Sequence, residues 1–379
     1  MIRAEFEPEY FVMRLSPTLS AYIGRQFLLA FVSVLAVILG VVFLFDVIEL
    51  IRRAATRGEL GIANLLLMAL LKLPQMLHTV LPFAILIGAM VAFWRLTRTH
   101  ELVVARSAGI SAWQFLTPVL VIVSALGVLE LTAFNPLAAA MYGRFQKMED
   151  EILLGRTSNL DVSEMGLWLR EGDGDHQMVL HADQVSQDAL VLNLRGVHVF
   201  LLDQNDHFVR RLSARTGRLA DGNLELGDVW DMIAGRSSVH GAAMQLKTGL
   251  TLERVRDNFA SPETMSFWQL PAFIRFFEKA GFAATKQRMH LQSLLASPLL
   301  YCAMVLMAAV FSLRPNMRAG GLLLRVGGGV SAGFGIYFFN KIIYAFGLSA
   351  TLPQGLAAWS PALVAGLIGV SGLLHLEDG

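Results

Sequence analysis

The chain has 379 residues, 55% of them apolar and only 16% charged, a balance that excludes an ordinary soluble domain and points to the polytopic membrane class. Its net charge of +1 gives no bulk electrostatic reason to bind nucleic acid, and none is expected as a partner. The single cysteine, Cys302, sits inside an apolar run, so an intrachain disulfide is impossible.

Residues 1–15 carry Glu5, Glu7 and Glu9 beside Arg3 and Arg14, and the apolar run behind them is too long for a cleavable signal. Ser16-Pro17 reads as a helix start, serine as cap and proline at the first helical position. Phe27 to Phe45 is long enough to cross roughly 30 Å of hydrocarbon, and the helix should continue through Glu49, Arg52 and Arg53. A second segment, about Ile62 to Trp94, contains Pro74 and Pro82 and predicts a kinked helix. A third, Phe115 to Phe134, is expected to end at Asn135-Pro136.

The chain then turns polar, and its period changes. Met178–Leu180, Ala189–Leu194, Val197–Leu202 and Phe208–Leu212 are short, often alternating runs. Turn signals separate them at Gly172-Asp173-Gly174, Gln204-Asn205-Asp206 and Asp221-Gly222-Asn223, which predicts an antiparallel β domain. Phe267, Leu270, Phe273, Ile274 and Phe277 restore a helical stripe, expected to lie at the membrane interface and to link the β domain to the fourth span. Apolar segments follow at His290–Leu313, Leu322–Phe346 and Leu356–Leu376. Six spans place both termini on one side. Arg3, Arg14, Arg25, Arg95, Arg98, Arg106, Arg314, Arg318 and Arg325 share that side and mark it as cytoplasmic. Arg52, Arg53 and Arg57 fall on the other face, against the rule.

Few motifs of chemistry are present. No lysine follows a glycine, which removes the phosphate-binding loop, so any ATP-driven step needs an ATPase on another chain. His100-Glu101 has no histidine at position 104, and the zinc-protease motif fails. Gly329-Val330-Ser331-Ala332-Gly333 fits G-x-S-x-G, but it lies in a glycine-rich apolar segment, where small residues four apart serve helix packing. Between spans two and three, Leu102, Val103, Ala105 and Ala108 form an apolar strip with Glu101 and Arg106 beside it and Gly109 as a C-cap. Such a short helix suits either a groove on a partner ATPase or the lipid headgroups. Asp46, Glu130 and Lys341 are ionisable residues near the outer ends of spans, where cavity or pairing roles are the default, and a Glu130–Lys341 ion pair is expected at least as much as ligand contact.

Tyr22-Ile23-Gly24-Arg25, Glu101-Leu102-Val103-Val104 with Ser107-Ala108-Gly109, and Met265-Ser266-Phe267 together resemble the LptF/LptG family of lipopolysaccharide-export permeases. Ala357-Ala358-Trp359-Ser360-Pro361 tilts the resemblance toward the LptG branch. It covers essentially the whole chain. The resemblance implies an α-helical polytopic membrane protein with six spans, three plus three, around an inserted periplasmic antiparallel β-jellyroll-like domain. Residues 1–134 would hold spans one to three with a coupling helix at about 99–109, residues 135–265 the β domain, and residues 266–379 an interfacial helix and spans four to six.

By the same resemblance, this permease pairs with an LptF-like permease and binds an LptB-like ATPase dimer, which holds the ATP and magnesium, so the chain itself needs no cofactor. Lipopolysaccharide would leave the outer leaflet of the inner membrane of a Gram-negative bacterium through a lateral gate, formed mainly between the first and fifth spans of the two subunits. It would pass to LptC/LptA-like jellyroll proteins. The coupling residues implied are Glu101, Leu102, Val103, Arg106 and Gly109. Arg52 and Arg53 match the family's basic pair, and with Arg57, Arg144 and Lys147 they are the candidates for the lipid's phosphates, which guanidinium groups bind bidentately. Some relatives carry further lysines where this chain has Phe45, Asp46 and Gln75. Two other classes stay open on the residues alone: a membrane-embedded lipid-modifying enzyme and a periplasmic assembly scaffold.

Overall fold

The computed structural model describes residues 17–55, 61–107, 109–149, 160–163, 166–173, 176–188, 191–202, 207–220, 222–233, 237–248, 261–279, 283–313 and 321–378. Helix α1 (Pro17–Ala55) opens on the proline foreseen, while Ser16 lies outside the described residues. Its 39 residues rise roughly 58 Å at about 1.5 Å each, so it runs well beyond the hydrocarbon. Helix α2 (Ile62–Arg98) keeps Pro74 and Pro82 inside one helix, and α3 (Glu101–Ser107) is a single short piece. Helix α4 (Ala112–Leu129) starts on a capping box in which Ser111 and Gln114 satisfy each other's backbone N–H.

The third span does not end at Asn135-Pro136. It continues through a π segment, Glu130–Phe134, into α5 (Asn135–Met148). The reason is local. Pro136 lacks an N–H and would crowd the carbonyl four residues back, that of Thr132. The widened π turn separates them, and the freed Thr132 carbonyl accepts a hydrogen bond from Trp268 Nε1 at 3.1 Å. The Asn135 side chain then accepts one from the Phe267 backbone N–H at 2.7 Å.

Seven strands follow: β1 (Leu160–Ser163), β2 (Gly166–Asp173), β3 (His176–Asp188), β4 (Val191–Leu202), β5 (Phe208–Ala220), β6 (Asn223–Ile233) and β7 (Val239–Lys247). They form one antiparallel sheet in which each strand pairs with its neighbours in sequence. Of the two runs read as separate, Val197–Leu202 and the described part of Ala189–Leu194, from Val191 on, belong to the single strand β4. Its buried positions change phase between Leu194 and Val197, around Gly196 at φ +63°. The same phase change crosses β5 between Ala214 and Gly217, and β6 between Leu226 and Val229, where Asp228 has φ +59°. These breaks form a crease across the sheet that keeps both halves turned toward one core. The left-handed φ of Gly196 would strain any residue with a side chain, so this corner favours glycine.

After a 3₁₀ turn at Pro262–Thr264, α6 (Leu270–Lys279) sends Ile274 and Phe277 into the sheet core with Leu180, Val199 and Leu226. Leu270 packs on Leu131 and Leu294 of the helical bundle. The amphipathic helix thus joins sheet to bundle as expected, but its apolar face is covered by protein rather than laid on lipid. Helices α7 (Thr285–Ser312), α8 (Gly321–Leu348) and α9 (Gln354–Asp378) complete the chain. Among the described residues, α1, α2, the continuous α4–α5 helix, α7 and α9 are long and apolar enough to cross a membrane. The expected sixth span is α8, 28 residues long and diluted by glycines and by Asn340 and Lys341. The bundle core centres on α2 and α7, with Phe27, Ile85, Phe93, Leu116, Tyr301 and Val305 fully enclosed. Helices α4 and α7 cross so closely that a Cβ at Gly127 would meet the Pro298 backbone at 2.8 Å.

Candidate functional site

At the β-domain end of the bundle, α1 presents Glu49, Arg52 and Arg53 at helical i, i+3, i+4 spacing, which brings all three together. Arg52 grips Glu49 bidentately, Nε and Nη2 each at 2.8 Å, and Arg53 Nε donates to the same carboxylate at 2.9 Å. Arg53 Nη1 also reaches Glu149 at the end of α5, at 3.2 Å. The Arg52 side chain is nonetheless 74% exposed, and Arg53 is half exposed. The guanidinium groups are therefore held in place by acids yet open to a ligand. Arg144 and Lys147 are exposed on α5, whereas Arg57 lies outside the described residues.

One turn deeper, Lys72 of α2 pairs with Asp46 of α1 and lies 5.4 Å from the Phe145 ring centroid. Sequence reasoning singled out Asp46 but missed Lys72, because the pair joins two helices. The Glu130–Lys341 pair does not form. Glu130 instead accepts from His78 of α2 across 2.6 Å, while Lys341 sits over its own helix neighbour Tyr337 at 5.5 Å. The physical reason is depth: Glu130 is 5% exposed inside the bundle, and Lys341 is exposed on α8.

At the other end, His100 (φ +60°) and Gly109 (φ +84°) bracket α3. Glu101 accepts hydrogen bonds from Thr99 Oγ1 at 2.8 Å and from the Tyr22 hydroxyl of α1 at 3.2 Å. Gln26 in turn donates to Tyr22. This chain of contacts ties α3 to the first turns of α1, so a force on α3 has a direct route to that helix. Leu102 is buried in the bundle core, whereas Val104 faces out at 66% exposure. Of the expected strip, Leu102 anchors α3 and Ala105 is half-buried, while Val104, outside the strip, faces outward. The side chains of Val103 and Arg106 lie outside the described residues.

Gly329, Ser331 and Gly333 fall within helix α8 and not at a strand–turn–helix corner. A Cβ at Gly329 would meet Met90 at 2.4 Å, and one at Gly333 would meet Leu86 at 2.4 Å. Close packing of α8 on α2 explains both glycines.

The sheet's outer face carries a feature that pattern reading did not find. Trp168, His181, His198, Ser213, Trp230 and His240 stand directly opposite one another across β2 to β7. His198 is held below its usual pKa by burial and by the cation of Arg211. Asp231 is lowered by its two hydrogen bonds from Arg210, at 2.7 and 2.6 Å, and Asp228 by its bond from His240 at 2.6 Å.

The sequence profile of the family described as "Lipopolysaccharide export system permease LptF/LptG" matches residues 21–375, across bundle and sheet alike. The chain belongs to the LptF/LptG family. Among curated proteins it is 23% identical to lipopolysaccharide export system permease protein LptG of Escherichia coli (strain K12), over 91% of this chain and 94% of that one. It is likewise 23% identical to the LptG protein of Haemophilus influenzae, over 92% of this chain and 95% of that one. The family and the apolar helices together make this chain a multi-pass membrane permease with a separate antiparallel β domain. The resemblance to LptG read from residues 357–361 agrees with the names of these relatives.

Proposed function

We propose that this chain is the transmembrane permease subunit of an ATP-driven lipopolysaccharide exporter of the inner membrane, with its β domain in the periplasm. The observation that carries this reading is the family match over residues 21–375, which spans both the bundle and the sheet. The form of α1 supports it. Ile23, Phe27 and Phe31 are buried at one end and Leu50 and Ala54 at the other, while Val37, Val41 and Phe45 between them are at least half exposed. A helix anchored at both ends and bare in the middle suits one wall of a lateral gate.

In this reading lipid enters along α1 and its phosphates meet Arg52 and Arg53, with Arg144 and Lys147 of α5 as further candidates and Arg57 kept as a candidate from the sequence. The site would work by competition: a phosphate takes over donor N–H groups that Glu49 and Glu149 now occupy, and leaves the acids to repel it once the cavity narrows. A separate LptB-like ATPase dimer would supply ATP and push through Glu101 and α3 onto α1. An LptF-like partner completes the cavity, and LptC/LptA-like jellyroll proteins receive the lipid beyond the sheet. The test is purification from the native membrane followed by mass spectrometry of bound proteins and lipids. A related permease, an ATPase and lipopolysaccharide are expected together; recovery of the chain with no ATPase would favour an enzyme or a scaffold.

A further inference from the structure

We propose that the outer face of the β sheet binds a phosphorylated oligosaccharide, with Trp168 and Trp230 as stacking surfaces and Arg211 as the group that takes the phosphate. The row that runs from Trp168 on β2 to His240 on β7 lies one residue out of step with Leu167, Leu180, Val199, Leu212 and Val229, which fill the core. Strand alternation therefore turns the row away from that core. A tryptophan on such a face needs a reason, since the wet side of an antiparallel sheet normally carries polar residues. Cross-strand pairing supplies part of it, because the ring centroids of Trp168 and His181 are 4.2 Å apart and those of Trp230 and His240 4.8 Å apart. Both indoles nonetheless stay open, at 41% and 47% exposure.

The two indoles stand four strand spacings apart, roughly 19 Å along the sheet at about 4.8 Å per strand. Between them lie groups that form hydrogen bonds. The rings of His181 and His198 are parallel with centroids 6.1 Å apart, and His198 Nδ1 is 3.0 Å from Ser213 Oγ. A protein interface of ordinary build has the opposite order, apolar at the centre and polar at the rim. A sugar chain fits the order seen here. The C–H face of a pyranose packs on an indole, and its hydroxyls meet the imidazole and hydroxyl groups between.

The charges point to a phosphate on that chain. Arg210 is bonded to Asp231, while Arg215 and His240 share Asp228. Arg211, beside the centre of the row, has no carboxylate partner among the described residues. It is half-buried over the Phe200 ring at 5.4 Å, its Nη2 is 3.4 Å from His198 Nδ1, and its Nε is buried without a hydrogen-bond partner. A guanidinium so held is a cation short of acceptors, and a phosphate brings both the charge and the oxygens. The inference rests on the cargo proposed above, whose polar part is a phosphorylated saccharide.

The test is isothermal titration of the full chain in nanodiscs, with the partners that co-purify, by lipopolysaccharide stripped of its acyl chains. Binding to the unmodified chain is expected, weakened about tenfold by Trp168→Ala with Trp230→Ala and kept within about threefold by Trp168→Phe with Trp230→Phe. Arg211→Gln should weaken binding of the phosphorylated saccharide several-fold and leave that of its dephosphorylated form unchanged. No binding to the unmodified chain, equal binding in the double alanine variant, or an Arg211→Gln effect shared by both forms overturns the proposal. Loss of a co-purifying protein from the double alanine variant, with saccharide binding unchanged, overturns it in favour of a protein partner. ATP-dependent export is read separately. Indole-dependent saccharide binding in a chain that exports no lipopolysaccharide defeats the permease reading alone, and export with indole-independent saccharide binding defeats this inference alone.

Discussion

Helices α1 and α7 each carry an apolar stretch long enough to cross a membrane, yet 11% of the residues in that of α1 are buried, against 61% in that of α7. In water such a contrast would leave α1 unable to stay folded on the molecule. In a bilayer both are at home, because the hydrocarbon solvates what the protein does not cover. Hydropathy therefore marks the membrane and is silent about the core. What separates the two helices is the polar and small residues: α7 carries His290, Ser297 and Tyr301 toward Glu130 and meets Gly127 at Pro298, whereas α1 between Val32 and Glu49 has none of its residues buried.

The contrast can be broken first by truncation. Met304→Ala on α7, where the side chain is 2% exposed, should cost about 2–5 kcal/mol. Val37→Ala on α1, 67% exposed, should stay within about 0.5 kcal/mol while lowering export. Thermal unfolding in detergent reads both, and equal losses would remove the distinction. Next in size, reversing the charge of the α1 terminus with Arg52→Glu and Arg53→Glu should cut photocrosslinking of lipopolysaccharide to the cavity several-fold, without unfolding α1; undiminished crosslinking would sink the role of this pair.

A third prediction sharpens the comparison by moving outside the membrane. His198 has its pKa lowered, so the unfolded chain binds its proton more readily, and the stability it contributes is present above about pH 6.5 and fades as pH falls below that. Asp231 and Asp228 are lowered too, and their contribution is lost only in stronger acid, below about pH 4. Strand amides of β4 to β6 should lose exchange protection in those two steps; a single step at one pH would contradict the assignment. Fourth, Glu101→Ala removes the acceptor that joins Tyr22 and Thr99, and should weaken ATPase coupling several-fold with α3 still folded. Unchanged complex formation and ATPase activity would count against it. The smallest effect is Ser331→Ala, expected to be silent, since any loss of hydrolytic activity would revive the enzyme reading.

Much of this architecture was legible in the sequence. Pro17 follows from local capping chemistry, and the length of Phe27–Phe45 and the alternation in β3 to β5 follow from local periodicity. The missed features share one property: they join residues distant in sequence. Nothing local pairs Asp46 with Lys72 or Glu130 with His78, 26 and 52 positions apart. The helix past Pro136 was hidden as well, because a π turn and the indole of Trp268 together relieve a proline that normally ends a helix. The phase change at Gly196 read as a break between strands, since alternation alone cannot tell a crease from a turn.

The most direct test of the central claim is reconstitution. The chain, with the partners that co-purify with it, would be placed in proteoliposomes loaded with lipopolysaccharide, and lipid reaching a soluble acceptor would be followed with and without ATP. The account predicts ATP-dependent release that falls when Arg52 and Arg53 are reversed in charge. ATP hydrolysis at a normal rate with no release of lipopolysaccharide would contradict it.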